Sequence, residues 1–124
     1  MAENESKKYR NTIIRNELGL HARSAAQIAG IAQNSRANVW IQKNDEKADA
    51  SSIIDILTLV CAKGTKITII IEDLADTHIL NAIADLVDSG FGENDPNWAK
   101  NAQLVFNSIE VRDNVKTRSS GNNT

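Results

Sequence analysis

Hydrophobic and polar residues alternate from Tyr9 to Ile14. Thr12 and Ile14 fall on one side and Tyr9, Asn11 and Ile13 on the other, a period that predicts a strand. Asn16 to Leu20 contains Gly19 and reads as a turn. From Ala22 to Gln33 the period lengthens: Ala25, Ile28, Ala29 and Ala32 share one stripe of a helix, which Asn34 to Arg36 stops. Val39, Trp40 and Ile41 predict a second strand, Asn44-Asp45 a turn, and Glu46 to Asp49 a short edge strand. Ser51 and Ser52 precede Ile53, Ile54, Ile56, Leu57, Leu59 and Val60, the pattern of a serine-capped helix, which Lys63-Gly64 is expected to close. Lys66 to Glu72, dense in β-branched residues, is the strongest strand. Asp76 is the expected N-cap of a last helix to Ser89, with Ile79, Ala82, Ile83, Leu86 and Val87 inward, and Gly90 to Asn94 reads as a linker.

Strand, helix, strand, strand, helix, strand, helix implies a two-layer α+β sandwich with one sheet face open. Alternation assigns Thr12, Ile14, Val39, Ile41, Ile67, Ile69 and Ile71 to the core. It leaves Tyr9, Ile13, Trp40, Thr68 and Ile70 facing outward. A further helix is expected within 93–112. Asp95-Pro96 is an N-cap followed by proline, and Trp98, Ala102, Val105 and Ile109 form one apolar stripe, widened by Phe106. Such a helix is marginal alone, so it is expected to cover the open face or to pack on a second copy, giving a tail-mediated dimer instead of a monomer. Residues 1–7 and 113–124 are polar and terminal and are expected to be disordered.

The 124 residues suit one domain, placed at 8–92. The formal net charge of −2 argues against a general nucleic-acid binder. The charge is uneven: residues 1–43 carry seven basic and three acidic side chains, residues 44–92 three and nine. The single cysteine, Cys61, excludes an internal disulfide framework and any cysteine-rich metal site, and is read as a small apolar filler. Met1 to Lys8 has no apolar leader region, and no apolar run reaches membrane-spanning length. The expectation is a cytoplasmic protein without membrane insertion.

Chemistry concentrates at Gly19-Leu20-His21-Ala22-Arg23, where a glycine turn meets a helix start. A helix start presents unpaired backbone N–H groups and a partial positive charge, which suit an anion such as phosphate. A neutral imidazole there is a nucleophile, and the Arg23 guanidinium can neutralise phosphoryl oxygens. Nucleophile, backbone donors and arginine together are what reversible phosphoryl transfer requires. The plainer alternative is a histidine that merely caps or packs.

Gly-Leu-His-Ala-Arg resembles the active-site signature of HPr, the histidine-containing phosphocarrier of the bacterial phosphotransferase system. The resemblance spans roughly residues 8–92, including Ser52-Ile53-Ile54 and Ala62-Lys63-Gly64. Asp88-Ser89-Gly90-Phe91 is similar to the ending of NPr, the nitrogen-related branch. The resemblance implies an open-faced sandwich of four antiparallel strands and three helices, and a phosphocarrier instead of a turnover enzyme, with no cofactor and no metal. It implies phosphorylation of His21 on Nδ1 by enzyme I, with Arg23 as anion partner and Ala22 and Ser24 as phosphoryl-binding positions, and onward transfer to IIA-type acceptors. A regulatory binding protein of the nitrogen branch, outside sugar uptake, is the alternative. Leu20, Ala22, Ile53, Ile54 and Leu57 are the expected docking residues.

One departure stands out: the family usually has proline where this chain has Ser24. Serine restores an N–H and adds a hydroxyl, and the simplest expectation is a tolerated change with a slightly looser turn. Ser52 stands where some relatives carry a regulatory phosphoserine, although an N-cap is its plainer role. His78 has no nearby arginine in sequence and is read as a surface residue. The element order also matches an RNA-binding fold that stacks bases on sheet aromatics, with Tyr9 and Trp40 as the imitators. The acidic charge and the missing aromatic, basic motif argue against that.

Overall fold

The computed structural model describes residues 7–93. Four strands, β1 (Lys8–Ile13), β2 (Val39–Lys43), β3 (Glu46–Asp49) and β4 (Lys66–Ile71), form one antiparallel sheet in the order β1-β4-β2-β3. Three helices, α1 (Ala22–Ala32), α2 (Ile53–Leu57) and α3 (Thr77–Asp88), cover one face. Arg10 and Ile41 flank Ile69 in register, and Tyr9 and Trp40 flank Ile70. The inward set is the one alternation selects: Ile14, Val39, Ile41, Ile67, Ile69 and Ile71 are buried with Ile28, Ile56, Leu80, Ile83 and Val87 from the helical layer. Each such aliphatic side chain contributes roughly 1.5–3 kcal/mol by leaving water. Thr12, on the same face, donates from its hydroxyl to Asp88 of α3, which ties β1 to that helix.

On the other face Tyr9 and Ile13 are exposed, whereas Trp40 and Ile70 are half-buried. The Trp40 indole N–H donates to Glu72 Oε2 at 2.7 Å, and Lys47 Nζ lies 4.7 Å from its ring centroid. The helix expected within 93–112 lies outside the described residues from 94 onward, as do the terminal segments expected to be disordered, Lys7 apart.

Three local expectations need correction. The second helix does not run to Gly64. It begins as expected, with Ser52 Oγ accepting from the Asp55 N–H at 3.2 Å, but it ends at Leu57. Thr58 turns its hydroxyl back onto the Asp55 carbonyl at 2.6 Å, Val60 adopts φ 52°, and Lys43 Nζ donates to the carbonyls of Leu59 (3.0 Å) and Val60 (2.9 Å). An ammonium on those terminal carbonyls stops the helix two turns early.

Asp76 precedes α3 but makes no side-chain cap. Asp73 caps the preceding single turn, Leu74–Asp76, by accepting from the Ala75 N–H at 2.8 Å. The fully buried Asp76 carboxylate is thereby released to accept the N–H groups of Arg36 (2.8 Å) and Ala37 (3.0 Å), pinning the α1–β2 connection.

The inner face of α3 carries Leu80 and Ala84 as well as Ile79, Ile83 and Val87, whereas Ala82 is exposed and Leu86 half-buried. Both stripes fit a helical period. The helix packs against α1 as well as the sheet, and that selects the second.

Asp76→Ala leaves two backbone N–H groups without their acceptor. It is expected to cost about 2 kcal/mol in denaturant unfolding, with Asp76→Asn losing less because an acceptor oxygen remains. Burial pushes the Cys61 thiol up, partly offset by Lys43 and reinforced by Glu46. Cys61 therefore carries less thiolate near neutral pH than an exposed cysteine. It is expected to react slowly with a thiol reagent in the folded chain and rapidly once denaturant is added.

Candidate phosphoryl-transfer site

β1 delivers the chain into a loop that a second loop holds in place. Ile14 N–H donates to Thr65 O (2.9 Å), Gly64 N–H to Ile14 O (2.7 Å), and Leu20 N–H to Cys61 O (2.8 Å). Between these bonds Gly19 sits at φ 66°, and a Cβ there would lie 2.4 Å from the Cys61 carbonyl oxygen. Both the backbone conformation and the close approach exclude a side chain at Gly19. Buried Asn16 braces the loop from inside, with Nδ2 donating to Gly19 O at 2.8 Å.

The loop ends at His21, which is the N-cap of α1. Its ring performs the cap: Nδ1 accepts from the Arg23 N–H at 3.2 Å. Ser24 answers from the next position, Oγ accepting from the His21 N–H at 2.9 Å while its hydroxyl faces the carbonyls of Gly19 (3.2 Å) and His21 (3.1 Å). Ser24 is buried and closes a reciprocal cap, a role that the expectation of a tolerated change with a looser turn did not include.

The other ring nitrogen meets a residue of the expected Gly90 to Asn94 linker. His21 Nε2 lies 3.1 Å from Glu93 Oε2, and the same oxygen accepts from Asn16 Nδ2 at 2.9 Å. Glu93 is carried there by a tight turn, Gly90–Gly92, in which Gly90, Phe91 and Gly92 all have positive φ and Phe91 is plugged into the core. Phe91 is a rare left-handed non-glycine residue, held by its burial. Two glycines around Phe91 are the sequence signal for such a turn, but no spacing in the sequence points to its destination.

A backbone N–H can only donate and a carboxylate can only accept, so the two contacts specify one tautomer. Nδ1 is the bare, lone-pair nitrogen and Nε2 carries the proton. The lone pair therefore points at the N-terminus of α1, where first-turn amides suit an anion. Arg23 is half-buried, and among the described residues its guanidinium has no ion pair. Ala22 is exposed in the same turn.

The remaining expected site residues are dispersed. Leu20, Ile53 and Leu57 are half-buried against the core and Ile54 is 77% exposed. Leu18 and Val60, absent from the expected docking set, are also exposed apolar residues of the 16–20 and 58–65 segments that meet beside His21. Val60 is exposed because α2 ends at Leu57, before the expected helix would reach it. The Ser52 hydroxyl is spent on capping α2, with the Asp55 carboxylate in the same turn. His78 is exposed. Among the described residues no cluster of His, Cys, Asp and Glu is arranged to hold a metal, and no helix is long and apolar enough to cross a membrane.

This arrangement places a capping histidine with a bare Nδ1 at a helix N-terminus of an open-faced α+β sandwich. A family model described as the phosphotransferase-system HPr component phosphorylation site matches residues 8–89, and the chain belongs to the HPr family. The phosphocarrier protein HPr of Neisseria meningitidis is 35% identical over 78 residues, 63% of this chain and 88% of that protein. The phosphocarrier protein NPr of Shewanella violacea is 36% identical over 88 residues, 71% of this chain and 97% of that protein. The crystal structure of HPr-C-His from Thermoanaerobacter tengcongensis superposes with a TM-score of 0.63 at 32% identity, covering 68% of this chain and 96% of that one. The chain is accordingly a phosphocarrier of the phosphotransferase system, a relay protein and not a turnover enzyme.

Gly19→Ala is expected to force the 16–20 loop away from Cys61 and to tilt His21 out of its cap. The expected result is a loss of roughly 1–3 kcal/mol in stability and markedly slower phosphorylation, read by thermal unfolding and by phosphoryl uptake on one preparation.

Proposed function

We propose that His21 accepts a phosphoryl group on Nδ1 from enzyme I and passes it to IIA-type acceptor proteins. One observation carries this reading: Nδ1 is the unprotonated nitrogen and is already directed at the α1 N-terminus by the Arg23 amide. On phosphorylation that amide is free to move from the ring nitrogen to a phosphoryl oxygen, with the first-turn backbone at Ala22 and Ser24 beside it. The Arg23 guanidinium, without an ion pair among the described residues, supplies the countercharge. Little covalent chemistry is asked of the protein beyond a placed lone pair and neutralised oxygens. The exposed apolar side chains Leu18, Ile54 and Val60, with the partly buried Leu20, Ile53 and Leu57, suit brief docking of successive partners.

The nitrogen-related branch is the second reading. The NPr of Shewanella violacea aligns over 97% of its length, and the Asp88-Ser89-Gly90-Phe91 ending supports the same branch. In that case the phosphorylation state of His21 is itself the signal that partners read.

Incubation with phosphoenolpyruvate and a cognate enzyme I is expected to place one acid-labile phosphoryl group on the full chain and none on His21→Ala. Arg23→Ala is expected to slow uptake by about ten- to a hundredfold, the worth of a charge-assisted contact to a phosphoryl oxygen. Absence of label on the wild type, or undiminished label on His21→Ala, would defeat the proposal. Offering enzymes I of the sugar and nitrogen branches in parallel separates the two readings by rate.

A further inference from the structure

Glu93 lies outside the Gly-Leu-His-Ala-Arg signature, yet it is the one acidic side chain on the His21 ring among the described residues. The turn that brings it there is built at a cost. Three successive left-handed residues, one of them a phenylalanine, are held by the burial of Phe91. Glu93 is itself largely sheltered, its side chain 12% exposed against 27% for His21. Asn16 holds the carboxylate from behind while bracing Gly19 O, so the loop and the carboxylate share one support. A residue that only ended the fold would need neither the strained turn nor a second buried donor.

We propose that Glu93 is a positioning residue for phosphoryl transfer: its carboxylate keeps the proton of His21 on Nε2, leaving Nδ1 as the nucleophile, and balances the charge of the ring once Nδ1 is phosphorylated. The inference rests on the reading of His21 as the phosphoryl acceptor. As the donor's bond to phosphorus breaks, its electron pair stays with the donor and the Nδ1 lone pair forms the new N–P bond. The Nε2 proton does not leave. The ring becomes a phospho-imidazolium whose positive charge faces the Glu93 carboxylate. In the onward step the N–P electron pair returns to Nδ1, and the ring is again neutral with its proton on Nε2. A carboxylate on the far nitrogen of a histidine acts in this way in other nucleophilic sites, where it fixes the tautomer and steadies the cation.

The test uses the full chain and two variants. Glu93→Gln keeps the size and an acceptor oxygen but removes the charge; Glu93→Ala removes both. Nitrogen-15 spectra of the histidine ring are expected to show the Nε2–H tautomer dominant in the wild type, mixed tautomers in Glu93→Ala, and an intermediate state in Glu93→Gln. Phosphorylation of Glu93→Gln by enzyme I is expected to slow by about tenfold, the difference between a charged and a neutral acceptor on the ring. Unaltered thermal unfolding in Glu93→Gln shows that these effects are not a folding defect. A wild-type tautomer ratio and a wild-type rate of phosphorylation in both variants would overturn the role of Glu93. A wild-type chain that takes no phosphoryl group would instead overturn the reading of His21, while the tautomer spectra still report on Glu93.

Discussion

The donation from the Arg23 amide to His21 Nδ1 at 3.2 Å organises this molecule, because the ring nitrogen that caps the helix is also the nucleophile of the proposed phosphoryl transfer. A cap must hold its lone pair on the helix N-terminus to satisfy an otherwise orphaned N–H. A phosphoryl acceptor needs its lone pair in the same place, since that is where negative charge is stabilised. In the proposed transfer the resting protein therefore keeps the nucleophile aimed by a hydrogen bond that a phosphoryl oxygen can take over. When phosphorus takes the lone pair, a phosphoryl oxygen can take the amide.

That alignment depends on loops far apart in sequence. The end of β1 and the segment after α2 are laced by Ile14 with Thr65 and Gly64 and by Leu20 with Cys61. Gly19 must be bare for the two backbones to approach so closely. The second loop has its own anchor in Lys43, which reaches from β2 to the carbonyls of Leu59 and Val60 and ends α2 early. The short α2 is thus part of the site's construction: a helix continued to Gly64 would carry Cys61 out of reach of Leu20. The sheet supplies rigidity, and each of these contacts converts that rigidity into a fixed position for His21.

Strands and their faces were legible because alternation in this chain is nearly unbroken; Ile67, Ile69 and Ile71 could not face two ways. The signature at His21 was legible because glycine, histidine and arginine sit within five residues. What escaped was non-local. The end of α2 depends on a lysine from another strand, and the inner face of α3 on contact with α1. The role of Asp76 depends on two amides forty and thirty-nine residues away. The Glu93 contact spans seventy-two residues and arrives through a turn in which a phenylalanine adopts a conformation it ordinarily avoids. No period or spacing encodes such a contact; only burial of Phe91 in the assembled core decides where Glu93 comes to rest.

Ser24 shows how a departure from the family pattern can be absorbed. A proline at this position contributes a fixed φ and no side-chain acceptor, so the His21 N–H would have to find another partner. Serine gives up that stiffness and returns an oxygen 2.9 Å from the His21 N–H, together with a hydroxyl on the Gly19 and His21 carbonyls. Rigidity lost in the backbone torsion is recovered in hydrogen bonds that tie the same three residues, Gly19, His21 and Ser24, into one turn. Because those bonds close on the histidine backbone, its ring stays free to face Arg23 on one side and Glu93 on the other. The substitution changes how the turn is held while leaving Nδ1 of His21 on the Arg23 amide and Nε2 on Glu93, the arrangement the proposed transfer uses.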